Sequence, residues 1–208
     1  MYTPQKFKIT DPVEISRFIE QHPFGLIITV DDGMIHDTHT PFILSDQDGH
    51  LYGHIAKANP QWQHWVNTSN SNLTTAKVIF TGAHSYISPH YYSSEFNVPT
   101  WNYTAVSVTG KISIVDNDEE ALEFLDLLVR ANEPSKDPWV LDRNNEDYMK
   151  LIAGIIVFKV SLEKVEASFK LNQNKSQEDQ RNVVSALEKS ACPYDHAVAE
   201  RMKKNLES

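Results

Sequence analysis

Two Asp-Gly pairs, Asp32-Gly33 and Asp48-Gly49, sit 16 residues apart with apolar runs beside them. Asp-Gly favours the tight turns whose central residues need positive φ, and those turns match the twist of antiparallel strands. Phe24 to Val30 is an almost unbroken apolar run, too short for a typical helix and therefore a buried strand. Met34 to Leu44 and Leu51 to Ala56 follow the two turns as further strands. Three strands and two tight turns make an antiparallel meander.

The flanking segments fit the same plan. Asp11 can cap a helix that has Pro12 at its first position, Glu14 where a capping box would put it, and Ile15, Phe18 and Ile19 on one stripe. That helix stops before Pro23. Asn59-Pro60 opens a short helix with Trp62, Trp65 and Val66, and Thr68 to Thr75 reads as a polar loop. Ala76 to Thr81 and Tyr103 to Val115 are the next strands, and Asn117 and Glu120 begin an amphipathic helix carrying Leu122, Leu125, Leu128 and Val129. Gly154 to Leu171 is a strand pair or one bent strand. A helix from Ser176 to about Ser190 and another from Tyr194 to Leu206 end the chain. Short strands, tight hairpins and connecting helices point to an α+β barrel.

Composition narrows the function. No run approaches the roughly 18 apolar residues of a membrane span, and Met1 to Lys8 lacks a secretory apolar core, so a cytoplasmic protein without a membrane is expected. The lone Cys192 excludes an internal disulfide and a cysteine-rich metal site. His36 and His39 lie three apart on one strand and face opposite sides, and His84 and His90 have no carboxylate at ligand spacing before Glu95, so no metal site is expected. No nucleophile elbow, P-loop or dinucleotide glycine fingerprint is present, and no catalytic residue stands out. The net charge of −9 opposes simple adhesion to nucleic acid. That charge is uneven: residues 1–158 hold 10 Lys or Arg against 20 Asp or Glu, and residues 159–208 hold 9 against 8. DNA contact, if any, belongs to the C-terminal helices.

Three segments are candidates for binding. In Gly53-His54-Ile55-Ala56-Lys57-Ala58-Asn59-Pro60 a strand ends, a lysine follows and a helix opens, which suits a phosphate. Lys57 and Lys77 are the only Lys or Arg residues between Arg17 and Lys111. The plain alternative is a solvated lysine beside a capped helix. In Asp37-Thr38-His39-Thr40-Pro41-Phe42, alternation puts Thr38, Thr40 and Phe42 on one face and Asp37, His39 and Pro41 on the other. Pro41 demands a local irregularity or an edge, where free backbone groups could read a flat heterocycle or simply guard against aggregation. In Pro99-Thr100-Trp101-Asn102-Tyr103 the rings could stack on a planar ligand, with Asn102 at its edge, or pack a dimer interface. The long, aromatic connection Gly82 to Asn102 predicts a homodimer.

Taken with Pro23-Phe24-Gly25-Leu26, Tyr86-Ile87-Ser88-Pro89 and Lys170-Leu171-Asn172-Gln173-Asn174, these segments resemble the PaiB-like family of FMN-binding negative transcriptional regulators. The resemblance runs from Met1 to about Lys204. It implies a fold similar to the pyridoxamine-phosphate-oxidase type: an antiparallel split β-barrel with peripheral helices and a C-terminal helical pair. It also implies a dimer with FMN sites between subunits. The cofactor-binding set it points to is His39, Thr40, His54, Lys57, Asn59, Trp101, Asn102 and Lys170. Residues 1–175 are then the FMN-binding barrel, and residues 176–208 a helical extension packed on it. The oxidases hold FMN phosphate with several Arg and Lys residues, whereas this chain offers Lys57, aided by His54 or Lys170. Weak binding or a vestigial site is the expectation. The rival to a regulator is a flavin-dependent oxidoreductase acting on a small molecule.

Overall fold

The computed structural model describes residues 1–45, 48–66, 74–94, 96–134 and 136–207. Most of the expected loop Thr68 to Thr75 lies outside them. The described strands are β1 (Lys8–Ile9), β2 (Phe24–Asp31), β3 (Met34–Ser45), β4 (His50–Ala56), β5 (Thr75–Ile87), β6 (Thr100–Ile114), β7 (Ile155–Ser161) and β8 (Lys164–Lys170). The helices are α1 (Pro12–Gln21), α2 (Gln63–Val66), α3 (Asp118–Asn132), α4 (Glu146–Ile152), α5 (Gln177–Glu188) and α6 (Pro193–Glu207). Strand order is β1-β8-β6-β5-β2-β3-β4-β7, and a further β6–β7 pairing closes the run from β6 to β7 into a ring. The fold is α+β, as the turns and strand lengths predict.

Local chemistry explains the element boundaries. Asp32 and Gly33 both have positive φ, 46° and 78°, so the β2–β3 turn is of the type that Asp-Gly favours. Asn117, Asn145 and Ser176 each accept a backbone N–H at the start of α3, α4 and α5. Asp11 Oδ1 accepts from Val13 N at 3.0 Å, while Glu14 is bonded to Arg201 instead of closing a capping box.

The chain divides into two compact units. The larger, Ile19–Phe80 with Ser107–Val165, holds β2, β3, β4, β7 and α3. β3 changes partner inside it: Met34–Pro41 pair with β2, and Phe42–Ser45 pair with β4. Pro41, which has no N–H, stands at that switch. Phe42 packs edge-on against Phe80 and Phe158, with ring centroids 5.5 and 5.9 Å away. A Cβ at Gly25 would lie 2.8 Å from Phe80, and one at Gly53 2.6 Å from Phe158, so both glycines make room for this aromatic core. Tyr52, Val115, Phe124 and Val157 form a second cluster in the same unit, joined by Ala121, Leu125 and Leu128 of α3.

The other unit comprises Met1–Phe18, Thr81–Val106 and Glu166–Ser208. β1 pairs with β8, the Phe18 and Phe169 rings lie 5.1 Å apart at a tilt of 42°, and α5 packs against α6. The connection expected over Gly82 to Asn102 is shorter than that: β5 continues to Ile87 and β6 starts at Thr100. Gly82, His84 and Ser85 hide the strand because they lack its usual branched and aromatic side chains. Ile87 and Tyr92 are core residues, not exposed ones. Asp179 ties the real connection to α5 by accepting from Ser93 N at 2.8 Å and Ser94 Oγ at 3.0 Å. Burial works against its charge, but the donors from Ser93, Ser94 and Ser176 prevail and lower its pKa.

Candidate functional site

The first candidate segment leaves β4 at Ala56 and turns through Lys57 to Asn59 into a 3-10 turn, Pro60–Trp62, that leads into α2. Lys57 donates its N–H to Gly154 O at 2.8 Å, and its carbonyl accepts from Trp62 Nε1 at 2.9 Å. Its backbone is therefore fixed while its side chain is exposed, with no ion-pair partner among the described residues. Two such short turns carry little dipole, so the attraction for a phosphate rests on the lysine charge. A cavity of about 470 Å³ beside Lys57 is lined by Val115, Ala121, Met149 and Val157, but also by Asp116 and Asp118. Those carboxylates make the cavity itself unsuited to an anion.

Asn59 is engaged internally. Its Oδ1 accepts from Gln61 N at 3.0 Å and its Nδ2 donates to Thr38 Oγ1 at 2.8 Å. Gln61, 2% exposed, continues the network: Oε1 accepts from Thr38 at 2.6 Å, and Nε2 donates to Thr29 Oγ1 at 3.0 Å and His36 O at 3.2 Å. The network pins the Lys57 turn to the β2–β3 hairpin. Thr40 is also buried, and its hydroxyl donates to His54 O at 2.5 Å. His39, on the opposite face, is exposed and stacks on the exposed Phe24 at 5.9 Å.

The unit holding β8 contains the other three predicted residues. Trp101 is exposed and meets Tyr86 edge-on at 6.0 Å. Asn102 is fully buried, with Nδ2 donating to Met202 Sδ at 3.4 Å and Oδ1 without a partner. Lys170 donates to Thr100 Oγ1, and burial, then the nearby Lys6 charge, lowers its pKa. Thus His39, Thr40, His54, Lys57 and Asn59 belong to one unit, and Trp101, Asn102 and Lys170 to the other.

Sequence reasoning passed over Gln61 and the pairing of Phe24 with His39. The hairpin register, which sets Phe24 opposite Pro41 and Leu26 opposite His39, carries the signal for the second. It also passed over the Tyr52 hydroxyl, 2.6 Å from Asp48 and 2.9 Å from Glu120, which Lys159 joins at 2.7 Å. Burial and those two carboxylates push the phenol well above its ordinary pKa.

Comparison with known proteins fits this architecture. The family model described as "Putative FMN-binding domain" matches residues 1–164. The chain belongs to that family. The protease synthase and sporulation protein PAI 2 of Bacillus subtilis (strain 168) is 35% identical over 209 residues, which cover 99% of this chain and 98% of that protein. An uncharacterized protein of Aspergillus fumigatus is 28% identical, with 91% of each chain covered. Among solved structures, the FAD and heme binding protein of Mycobacterium smegmatis aligns with a TM-score of 0.61 at 14% identity, covering 83% of this chain and 78% of that one. The flavocytochrome Anf3 of Azotobacter vinelandii gives 0.61 at 13% identity, covering 84% and 75%. At such identity the likeness shows a shared fold, which is split-barrel-like.

The residues present are compatible in kind with a flavin mononucleotide. In the larger unit the exposed Phe24–His39 pair, the exposed Lys57 and the buried His54 Nδ1, and in the other unit the buried Asn102 Oδ1, are features a flavin could use, both buried atoms lacking a partner among the described residues. The His54 orphan has a consequence for stability. Burial depresses the imidazole pKa below its ordinary 6.5, so the unfolded chain binds the proton more readily. The stability owed to neutral His54 is complete above pH ~6.5 and lost as pH falls through the folded pKa. Urea midpoints between pH 7.5 and 5.0 should fall in the wild type, and His54→Gln should flatten that slope. An unchanged slope in the variant would show that His54 does not titrate in this way.

Proposed function

We propose that this chain is an FMN-binding negative regulator of transcription that acts as a homodimer in the cytoplasm. The observation that carries the regulatory reading is the near full-length similarity to the PAI 2 sporulation protein, joined to membership of the FMN-binding family. We read residues 1–175 as the FMN-binding barrel and residues 176–208 as its helical extension. No helix among the described residues is long and apolar enough to cross a membrane.

In this reading Lys57 meets the FMN phosphate, and Phe24 with His39 offers a surface for the flat ring. Thr40 and Asn59 act from within, by fixing the backbone of the same unit, and the other unit offers Trp101 and Lys170 as its own contacts for FMN, with Asn102 fixing its backbone. Bound FMN would supply a redox-active isoalloxazine. FMN should bind to the purified protein with a perturbed visible flavin band, and Lys57→Ala should weaken that binding by about 1–3 kcal/mol. Riboflavin, which lacks the phosphate, should be little affected. Equal losses for both ligands in calorimetry would remove Lys57 from the phosphate site.

Support for the dimer comes from exposed apolar faces within each unit. Phe24, Val30 and Ile35 are 65, 56 and 68% exposed on the β2–β3 hairpin, and in the other unit Tyr86, Trp101 and Tyr194 are 47, 54 and 56% exposed. Such patches mark association surfaces. Sedimentation at micromolar concentration should give a dimer, and a monomer would count against the proposal.

Direct contact with DNA, in this reading, uses α5 and α6. The basic residues of this segment are Lys175, Arg181, Lys189, Arg201, Lys203 and Lys204, and internal pairing reduces them: Arg201 is bonded to Glu14, Lys203 to Glu188 and Glu200, and Lys175 to Asn97. Arg181, Lys189 and Lys204 remain exposed. Gel-shift titrations at low and moderate salt should show binding that weakens steeply with salt. Arg181→Ala, Lys189→Ala and Lys204→Ala together should abolish it while the barrel stays folded. Undiminished binding by the triple variant would exclude this surface, and no binding by the wild type would exclude direct contact.

A further inference from the structure

The tip of the β2–β3 hairpin carries a side-chain cluster that the flavin reading does not use. Asp31 ends β2, His36 lies on β3, and His64 lies on α2. The register sets Asp31 opposite Met34 and Thr29 opposite His36. Asp31 and His36 are therefore diagonal neighbours on one face of the hairpin. The short helix brings His64 to the same place. One ligand atom from each of the three lies within 4.8 Å of the others. His64 Nδ1 is 2.8 Å from Asp31 Oδ2, and the His36 and His64 rings are 4.4 Å apart, tilted by 33°.

We propose that Asp31, His36 and His64 bind a divalent first-row transition-metal ion, with zinc as its probe. Two imidazoles and one carboxylate are the donor types that such ions select. Neighbouring ligands on a metal with bonds of about 2.1 Å sit roughly 3.0–3.4 Å apart, so the two donors, now 2.8 Å apart, need only a small separation to share one ion. Without metal that contact is a hydrogen-bonded pair in which His64 donates to Asp31. On loading, the Nδ1 proton moves to the other ring nitrogen and the freed Nδ1 lone pair binds the ion. All three residues are half-buried, which leaves room for water as a further ligand.

The surroundings hold the ligands in place. Gln61 Nε2 donates to the His36 carbonyl at 3.2 Å and to Thr29 Oγ1 at 3.0 Å. Trp65, next to His64, is 2% exposed and packs on Phe158 at 4.9 Å. The strand and the short helix are thus anchored independently of any ion, the kind of support that preorganises a metal site. This proposal departs from the expectation of no metal site, which rested on spacing along the chain, because the partners of His36 come from other elements.

The test uses the full-length chain without an affinity tag, stripped with chelator and titrated with zinc by calorimetry. One equivalent per chain should bind, and cobalt(II) should give the visible absorption of a low-symmetry site. His36→Ala and His64→Ala should each lose roughly tenfold or more in affinity, and the near-isosteric Asp31→Asn should also weaken binding with an unchanged circular dichroism spectrum. His90→Ala, a histidine outside the cluster, should bind as the wild type does. Absence of zinc binding at millimolar metal, or wild-type affinity in His64→Ala and Asp31→Asn, would overturn the proposal. Neither result depends on whether FMN binds.

Discussion

The packing of Phe42 between two glycines is the constraint on which the ring of strands depends. Its ring meets Phe80 and Phe158 edge-on, a favoured geometry for aromatic quadrupoles. Gly25 and Gly53 lie on the strands to either side, where any side chain would strike those same rings. Because Phe42 is also the first residue of β3 to pair with β4, the aromatic contact fixes the point at which the strand passes from one partner to the next. That point in turn sets which residues turn inward. Thr40 is buried against His54, whereas His39 faces out beside Phe24.

Much of this was legible in the sequence because it is written in local chemistry. The Asp-Gly turns, the Asn and Ser caps and the alternation around Thr40 require nothing beyond a few neighbouring residues. The end of β5 was not legible. Gly82, His84 and Ser85 have no strand preference of their own, and only pairing in the folded sheet makes them a strand. Gln61 and His64 were hidden for a different reason. Their partners are more than twenty residues away, and sequence spacing says nothing about which strand a short helix will cover.

The candidate site was legible as residue types and less so as roles. Asn102 and Asn59 are the residue kinds that read a heterocycle edge, yet one is fully buried and the other spends both ends of its amide on Gln61 and Thr38. Charge behaves similarly at the C-terminus. The segment is the least acidic part of the chain, but carboxylates already satisfy Arg201 and Lys203. Counting charges along a sequence overstates the field that a folded surface presents.

The turn at Lys57 shows a kinetic side of the same architecture. Its N–H and carbonyl are both bonded, to Gly154 and Trp62, and Asn59 N closes the turn onto Ala56 O at 2.9 Å. An anion that engages the lysine therefore has no loop to order. The conformational entropy lost is that of one long side chain, up to about 2 kcal/mol, with no backbone contribution. Association at this position should proceed at the pace of diffusion and side-chain rotation, without a slower closing phase.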